Sequence, residues 1–340
     1  MNELTTSIGA FLENKNTSSR IHREDRNNVH HFILSKLPKA GEPLAAAAAH
    51  HFENPGKMLR AQMVMRGSYS LNVDTDAAIR WAAAIEILHN ASLVHDDICD
   101  GDKLRRGRQA VWAKFGRHVG LTLGDWLIAL SFELAAEAAQ LAKTPKLVTL
   151  LAGHMATTTA GEAMEFESDR GYDWDTYLQI AADKTAPLLT APLQGVAIMA
   201  LDSRAEIVVA SYFRYLGKAY QIANDIMNFE GKDGAETIGS DLARRAPNAV
   251  TLSFRDGLSL AERVEFDRWY QAGSNAALTD WQIAIKNSAA MKNAGHCMLA
   301  ILNEAEARAE SLSVEIFEVI GPVNALVKRV CLNSVKHLKV

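Results

Sequence analysis

HNASLVHDDICDGDKLRR, residues 89–106, decides how the rest of the chain is read. It sets Asp96, Asp97 and Asp100 about one helical turn apart and follows them with Arg105 and Arg106. In a helix, positions i and i+4 share a face, so Asp96 and Asp100 point the same way while Asp97 is rotated off it. Two carboxylates on one face repel each other unless a cation sits between them. Oxygen ligands at this spacing suit magnesium, which takes one or two carboxylates together with substrate phosphates. The arginines just beyond supply forked donors for phosphate oxygens. A diphosphate bridged by magnesium is one reading. A solvated acidic helix end followed by a basic turn is the other, since charge runs are common on helix surfaces.

Composition narrows the classes. A chain of 340 residues with 48% hydrophobic residues buries a large core. A net charge of −4 gives no global reason to expect nucleic-acid binding. Cys99, Cys297 and Cys331 are too scattered for a metal pattern or a disulfide framework, which fits a reducing compartment. No apolar run reaches the roughly 18–20 residues that span a bilayer. The N-terminus, MNELTTSIGAFLENKN, lacks a basic-then-apolar signal pattern. The expectation is a cytoplasmic protein without a transmembrane segment.

Outward from the aspartates, the periodicity is helical. Residues 1–30 read as an N-terminal arm, and 31–340 as one helical domain without internal repeats. A helical pattern over His31–Phe52 is broken around Pro38–Pro43, and Asn54-Pro55-Gly56 marks a turn. Lys57 and Arg60 follow it, three apart on one face. Asp74–Asp76 offers a cap for a helix running from Ala77 into the aspartates. Residues 119–142 are apolar on most sides, which predicts a helix buried in the core or in a subunit interface. Further helices are expected at about 147–167, 173–200, 205–229, 259–271 and 277–312. The fold class is all-α.

A second polar constellation lies in QIANDIMNFE, residues 221–230. Asn224, Asp225 and Asn228 repeat the acidic spacing with two carboxylates exchanged for amides, and Asn224 and Asn228 share a face. Between the two constellations stands Lys184-Thr185, in the apolar stretch LQIAADKTAPLLTAPL. A lysine there is costly to bury unless paired. It is either exposed on an amphipathic helix or turned toward an anionic ligand.

With these segments in hand, the chain resembles the trans-isoprenyl diphosphate synthases, or polyprenyl synthetases, over roughly residues 40–315. DDICD followed by LRRG, Asp96–Gly107, looks like that family's first aspartate-rich motif. PGKMLRA at 55–61, LGDWL at 123–127, GEAMEF at 161–166, DKT at 183–185 and QIANDIMN at 221–228 follow in the family's order. The resemblance implies a single-domain isoprenoid-synthase-type helical bundle around a central cavity, forming a homodimer. It implies that Asp96 and Asp100, with Asp97 nearby, hold magnesium on an allylic diphosphate, and that Asp225 with Asn224 and Asn228 holds another ion, about three in all. Lys57, Arg60, His89 and Arg106 would grip isopentenyl diphosphate. Arg105 and Lys184 would contact the allylic diphosphate, and Thr185 and Gln221 would face the allylic cation. The growing tail would descend past Ser92 and Ala91, both small, toward Leu88 and Ile85, which implies a product of geranylgeranyl length or longer.

The sequence departs from the pattern after the second motif. Asn224 stands where the family has an aspartate, and Glu162 and Glu165 replace the polar pair of GQxxD. Residues 236–242 and 244–247 lack the two usual lysines, for which Arg244 or Arg245 is the available substitute. An asparagine-led second motif is also similar to that of class I terpene cyclases, although Asn228 and Lys232 do not fit it. The alternatives are therefore a terpene cyclase, a prenyltransferase with an unusual acceptor, or a weakly active regulatory subunit. Retention of Lys57, Arg60, His89 and Arg106 argues for elongation, since a cyclase binds no second diphosphate.

Overall fold

The computed structural model describes residues 18–166, 172–231 and 239–338. Residues 1–17 of the expected arm, and Lys232 with Glu236–Ile238, lie outside the described residues. The described chain is all-α: sixteen helices and one minimal hairpin. In order these are α1 (Ser18–Lys36), α2 (Ala45–Phe52), α3 (Leu59–Ser70), α4 (Thr75–Cys99), β1 (Leu104–Arg105), β2 (Arg108–Gln109), α5 (Val111–Phe115), α6 (Arg117–Leu141) and α7 (Lys146–Phe166). There follow α8 (Trp174–Thr185), α9 (Pro187–Met199), α10 (Ser203–Glu230), α11 (Ser240–Arg244), α12 (Ala249–Asp256), α13 (Leu260–Ala272), α14 (Leu278–Lys286), α15 (Ala290–Ala309) and α16 (Val314–Val335).

Two long helices, α4 and α10, carry the two polar motifs, and each has its own apolar surroundings. α4 packs most extensively on α6, and also on α3, α1 and α9; α10 packs on α15, α9, α16 and α8. α3 and α9 tie the two groups together. Met63 and Leu193 belong to the cluster around α10, whereas Val64 and Val196 belong to the cluster around α4. Both central helices start with an aspartate cap: Asp74 accepts from the Ala77 N–H at 2.8 Å, and Asp202 from the Ala205 N–H at 2.9 Å. Both end in their motifs. Asp96 and Asp97 occupy the last turn of α4, Asp100 is its C-cap, and Asn224–Asn228 fall in the last two turns of α10. The unpaired carbonyls of a helix C-terminus carry partial negative charge, so aspartates there are unfavourable without cations.

The helix boundaries differ from the sequence expectation where local chemistry interrupts a periodic run. The segment 173–200 is two helices, because Pro187 has no N–H to continue the ladder. The segment 277–312 breaks at residues 287–289, where the Ser288 hydroxyl accepts from the Ala290 N–H at 3.1 Å. α5, α11, α12 and α16 were not expected. α16 continues through Gly321 and Pro322, burying Ile316, Val319, Ile320, Val323, Leu326 and Val327. α1 runs unbroken across residue 30, with Val29 and Ile33 buried beside α4.

One expectation is corrected. By length and composition α6 is apolar enough to cross a bilayer, although polar residues interrupt its apolar run. Its inner face, including Leu123, Leu127, Leu130 and Leu134, is buried in the α4 cluster. Its outer face leaves Leu121 exposed and Ile128 and Phe132 half-buried. The core and the outer surface thus share this helix's apolar residues.

Candidate active site

The end of α4 concentrates negative charge. Asp96 is half-buried, and its pKa is pushed up to about 7 by burial, then by Glu162, with Asp100 adding to the effect against Lys184. Asp100 donates its backbone N–H to the Asp96 carbonyl at 2.8 Å, and its Oδ1 accepts from Arg244 Nη1 at 2.7 Å. Arg244 also reaches Asp241 Oδ1 at 3.1 Å. Asp97 turns inward, 1% exposed, and accepts from Arg105 Nε at 2.7 Å and from its Nη2. Its Oδ2 is buried without a hydrogen-bond partner among the described residues.

The charged turn after α4 is a β-hairpin, with Leu104 opposite Gln109 and Arg105 opposite Arg108. Its two-residue turn, Arg106-Gly107, has φ values of 54° and 76°, the geometry that matches strand twist. The hairpin sends Arg105 back to Asp97. Arg106 goes the other way, donating from Nη1 to the Asn54 carbonyl at 2.6 Å. At Gly56 a Cβ would stand 3.0 Å from Arg106 Cζ, and φ is +66°, so the Asn54-Pro55-Gly56 turn and this arginine fit only with glycine there.

Four expected cations and imidazoles gather behind that turn. Arg60 donates from Nε to the Leu188 carbonyl at 2.9 Å. Burial lowers its pKa, opposed chiefly by the field of Glu86. Glu86 is 3% exposed and accepts from the Ala61 N–H at 2.9 Å. His89 is held well below the usual histidine range by burial and then by Arg60 and Arg106, so its ring is neutral near pH 7. His51 joins them, bonded to Asn90 Oδ1 at 3.0 Å, and burial takes its pKa to about 4. Lys57 is lowered to about 8 by burial and then by Arg329. Neither His51 nor Arg329 was anticipated. Arg329 comes from α16, which packs on α3, and among the described residues it pairs with no carboxylate. The Lys328-Arg329 pair late in the chain was the only sequence signal.

Across from α4, Lys184 is neither exposed nor free: Glu162 lies 2.9 Å and Glu165 2.5 Å from its Nζ. Against the downward push of burial, Glu165 and then Glu162 hold its pKa above the usual lysine range. Gly161 allows this clamp, since a Cβ there would be 2.8 Å from the Lys184 backbone nitrogen. Thr185 Oγ1 donates to Gln221 Oε1 at 3.4 Å, so the structure brings this expected pair together.

Several of the expected metal-binding residues are spent in the interior. Asp225 is 1% exposed; its Oδ2 accepts from Tyr177 Oη at 2.6 Å and the Ala249 N–H at 2.7 Å, and its Oδ1 from Gln221 Nε2 at 3.0 Å. Burial, then Asp241, pushes its pKa up to about 8. Asn228 donates to Ser240 Oγ at 2.9 Å and receives the Asp241 N–H at 3.4 Å, capping the turn into α11. With Asp97 also buried on Arg105, the expected ligands that stay half-buried are Asp96, Asp100 and Asn224, the last beside the Tyr220 phenol. The same accounting removes Arg105 and Arg245 as free phosphate donors. Arg245 donates to the Tyr270 and Ser274 carbonyls and lies 4.0 Å over the Trp269 ring. Of the two arginines, Arg244 is the one that reaches the end of α4, bonded to Asp100 and Asp241. In the expected tail channel, Ala91 is fully buried, like Ile85, while Ser92 is half-buried with its hydroxyl on the His89 carbonyl.

Among the described residues no three acidic, histidine or cysteine side chains stand close enough to enclose a metal ion by themselves. Magnesium does not need such a cage. It retains waters and takes one or two carboxylates with substrate phosphates, and Asp96 beside Asp100 is that donor set. Burial, with Glu162 and Asp100 beside it, raises Asp96 and so favours a cation at its carboxylate.

Comparison with known proteins identifies the family of the chain. Residues 42–282 match the family model described as Polyprenyl synthetase. The chain is 28% identical to octaprenyl diphosphate synthase of Haemophilus influenzae over 67% of its length and 70% of that protein. It is 33% identical to geranylgeranyl diphosphate synthase of Saccharolobus solfataricus over 64% of its length and 68% of that protein. A polyprenyl synthase from Caulobacter crescentus, solved with calcium and isoprenyl diphosphate, superposes with a TM-score of 0.77 at 25% identity, covering 92% of this chain and 95% of that one. With matching motifs on a matching all-α fold, this chain belongs to the polyprenyl synthetase family and is a trans-prenyltransferase.

Proposed function

We propose that this chain condenses an allylic diphosphate with isopentenyl diphosphate, with magnesium, to give a trans-prenyl diphosphate of geranylgeranyl length or longer. The observation that carries the reading is the division of charge. An acidic rim of Asp96 and Asp100 adjoins a basic pocket of Lys57, Arg60, Arg106 and Arg329. A diphosphate binds to the first only through cations and to the second directly, so two diphosphates have distinct sites.

Asp96 and Asp100 would hold magnesium, which would supply charge to stabilise a departing diphosphate. Arg244 adds a guanidinium at the same rim. Thr185 and Gln221 supply oxygen dipoles toward the allylic carbons. Lys57, Arg60 and Arg106 orient the isopentenyl double bond by fixing its diphosphate. The allylic C–O bond breaks with both electrons going to oxygen, and the isopentenyl double bond attacks the freed carbon. The proton lost from the adduct passes to a released pyrophosphate oxygen, because neutral His89 lies with the basic pocket and not at the acidic rim.

Two further expectations belong to this reading. The apolar outer face of α6 continues onto α7, where Ala152, Gly153, Ala156 and Ala160 are exposed, and a second copy of the chain is the occupant we assign to it. Free Cys99, Cys297 and Cys331 suit a reducing cytoplasm. The test is incubation with magnesium, isopentenyl diphosphate and allylic diphosphates of increasing length, with products resolved by mass. Longer diphosphates support elongation. Hydrocarbons or alcohols formed without isopentenyl diphosphate would replace it with cyclisation, and activity only after mixing with a second polypeptide would indicate a subunit.

A further inference from the structure

Asn248 is fully buried and takes no part in the chemistry above. It caps α12: its Oδ1 accepts from the Val250 N–H at 2.9 Å and the Thr251 N–H at 3.3 Å. Those backbone donors need an acceptor, so the cap fixes which end of the amide is oxygen. The amide nitrogen therefore points away from α12, and it donates to Asp241 Oδ2 at 3.0 Å. Asp241 uses its other oxygen, Oδ1, to accept from Arg244 Nη2 at 3.1 Å, and Arg244 Nη1 donates to Asp100 Oδ1 at 2.7 Å. Three hydrogen bonds thus run from the cap of α12 to the end of α4. The base of this line is fixed. The Asn248 N–H donates to the Tyr172 phenol at 2.7 Å, and the next N–H, of Ala249, donates to Asp225 at 2.7 Å.

We infer that Asn248 is a positioning residue for the allylic side of the cleft, acting through Asp241 to hold Arg244 at the rim beside Asp100. The inference rests on the elongation reading above and names the support of one of its groups. Arg244 is a long side chain, 43% exposed, and an unanchored arginine of that kind samples many rotamers. Of its two carboxylate partners, Asp100 stands at the rim itself. The Asp241 side chain is 17% exposed and tied to Asn248, so it keeps the guanidinium in place when Asp100 turns to another partner. Asn248 orients Asp241 by donating to the oxygen that Arg244 does not use.

The test compares Asn248→Ser, Arg244→Ala and the double variant of the full-length protein in steady-state elongation, varying each substrate in turn. Serine keeps an acceptor for the cap but lacks the amide donor, so the melting temperature of Asn248→Ser should stay near wild type. Its kcat/KM for the allylic diphosphate should fall about fivefold, with the KM for isopentenyl diphosphate unchanged. The double variant should be no slower than Arg244→Ala alone, because Asn248 works through that arginine. Asp241→Asn breaks the next link and should show the same pattern, whether or not Asn248→Ser folds. Wild-type allylic kinetics in Asn248→Ser, with a loss in Arg244→Ala, would overturn this inference and leave the elongation reading standing. Losses that multiply in the double variant, or that strike both substrates in step with the melting temperature, would do the same. A wild-type protein that makes no longer diphosphate would overturn the elongation reading and the inference with it.

Discussion

Arg244 and Asp100 meet across the cleft: Nη1 of the arginine lies 2.7 Å from Oδ1 of the aspartate, although 144 residues separate them in the chain. The contact joins α11 to the end of α4 and places a guanidinium beside Asp100. The arginine is 43% exposed, so the ion pair stabilises the fold by no more than about 1 kcal/mol. Its value is in charge. Arg244→Ala should lower kcat/KM for the allylic substrate by about 10- to 100-fold, and Arg244→Lys should recover much of that, with little change in melting temperature. A melting temperature that falls in step with activity would make the contact structural instead.

Asp96→Ala or Asp100→Ala should reduce turnover by several orders of magnitude, about 3 kcal/mol or more of lost transition-state stabilisation. A chelator should do the same to the wild type. Undiminished turnover in chelator would refute metal dependence.

Lys57→Ala or Arg60→Ala should raise the KM for isopentenyl diphosphate far more than that for the allylic substrate. The lowered pKa of Lys57, about 8, adds a pH signature. Below about pH 8 the ammonium is charged and grips the diphosphate; above it the charge is lost. The kcat/KM for isopentenyl diphosphate should therefore fall as pH rises through about 8, and Lys57→Arg, which keeps its charge, should flatten the decline. Equal effects on both substrates would count against separate diphosphate sites.

Asp225→Ala should act on stability before metal binding. It would strand the Tyr177 hydroxyl, the Ala249 N–H and the Gln221 amide, at a cost on the order of 3 kcal/mol. Thermal unfolding without metal would read this directly. A variant that melts like wild type but loses metal affinity would return Asp225 to the ligand set.

Product length is best probed at Ser92. Ala91 is fully buried, so a phenylalanine there would overpack the core, whereas Ser92 is half-buried with only its hydroxyl engaged on its own helix. Ser92→Phe should shift the product mixture toward shorter chains while keeping the rate on short allylic substrates. An unmoved product distribution would show that the tail does not follow this face of α4.

Much of this protein was legible before any coordinates. Helical periodicity identified the all-α class, and the i, i+4 spacing placed Asp96 and Asp100 on one face and rotated Asp97 off it. The structure keeps Asp96 and Asp100 half-buried at the cleft while Asp97 is buried on Arg105. Those features are local, governed by backbone geometry over one or two turns. Spacing also put Asn224 and Asn228 on one face of α10, and the structure leaves Asn224 half-buried while Asn228 is buried against Ser240. Whether Asp225 faces the cleft or the core depends on Tyr177 from α8 and Ala249 from α12, both far from it in sequence. In the same way, only packing shows that Lys184 is clamped by Glu162 and Glu165 through the close approach at Gly161, that Arg329 joins Lys57, and that Arg244 rather than Arg245 reaches Asp100. Residue type and spacing determine which groups are available to bind a metal or a diphosphate. Which of them remain free to do so is decided by long-range contacts, because a buried polar group must satisfy its hydrogen bonds with whatever the fold brings beside it.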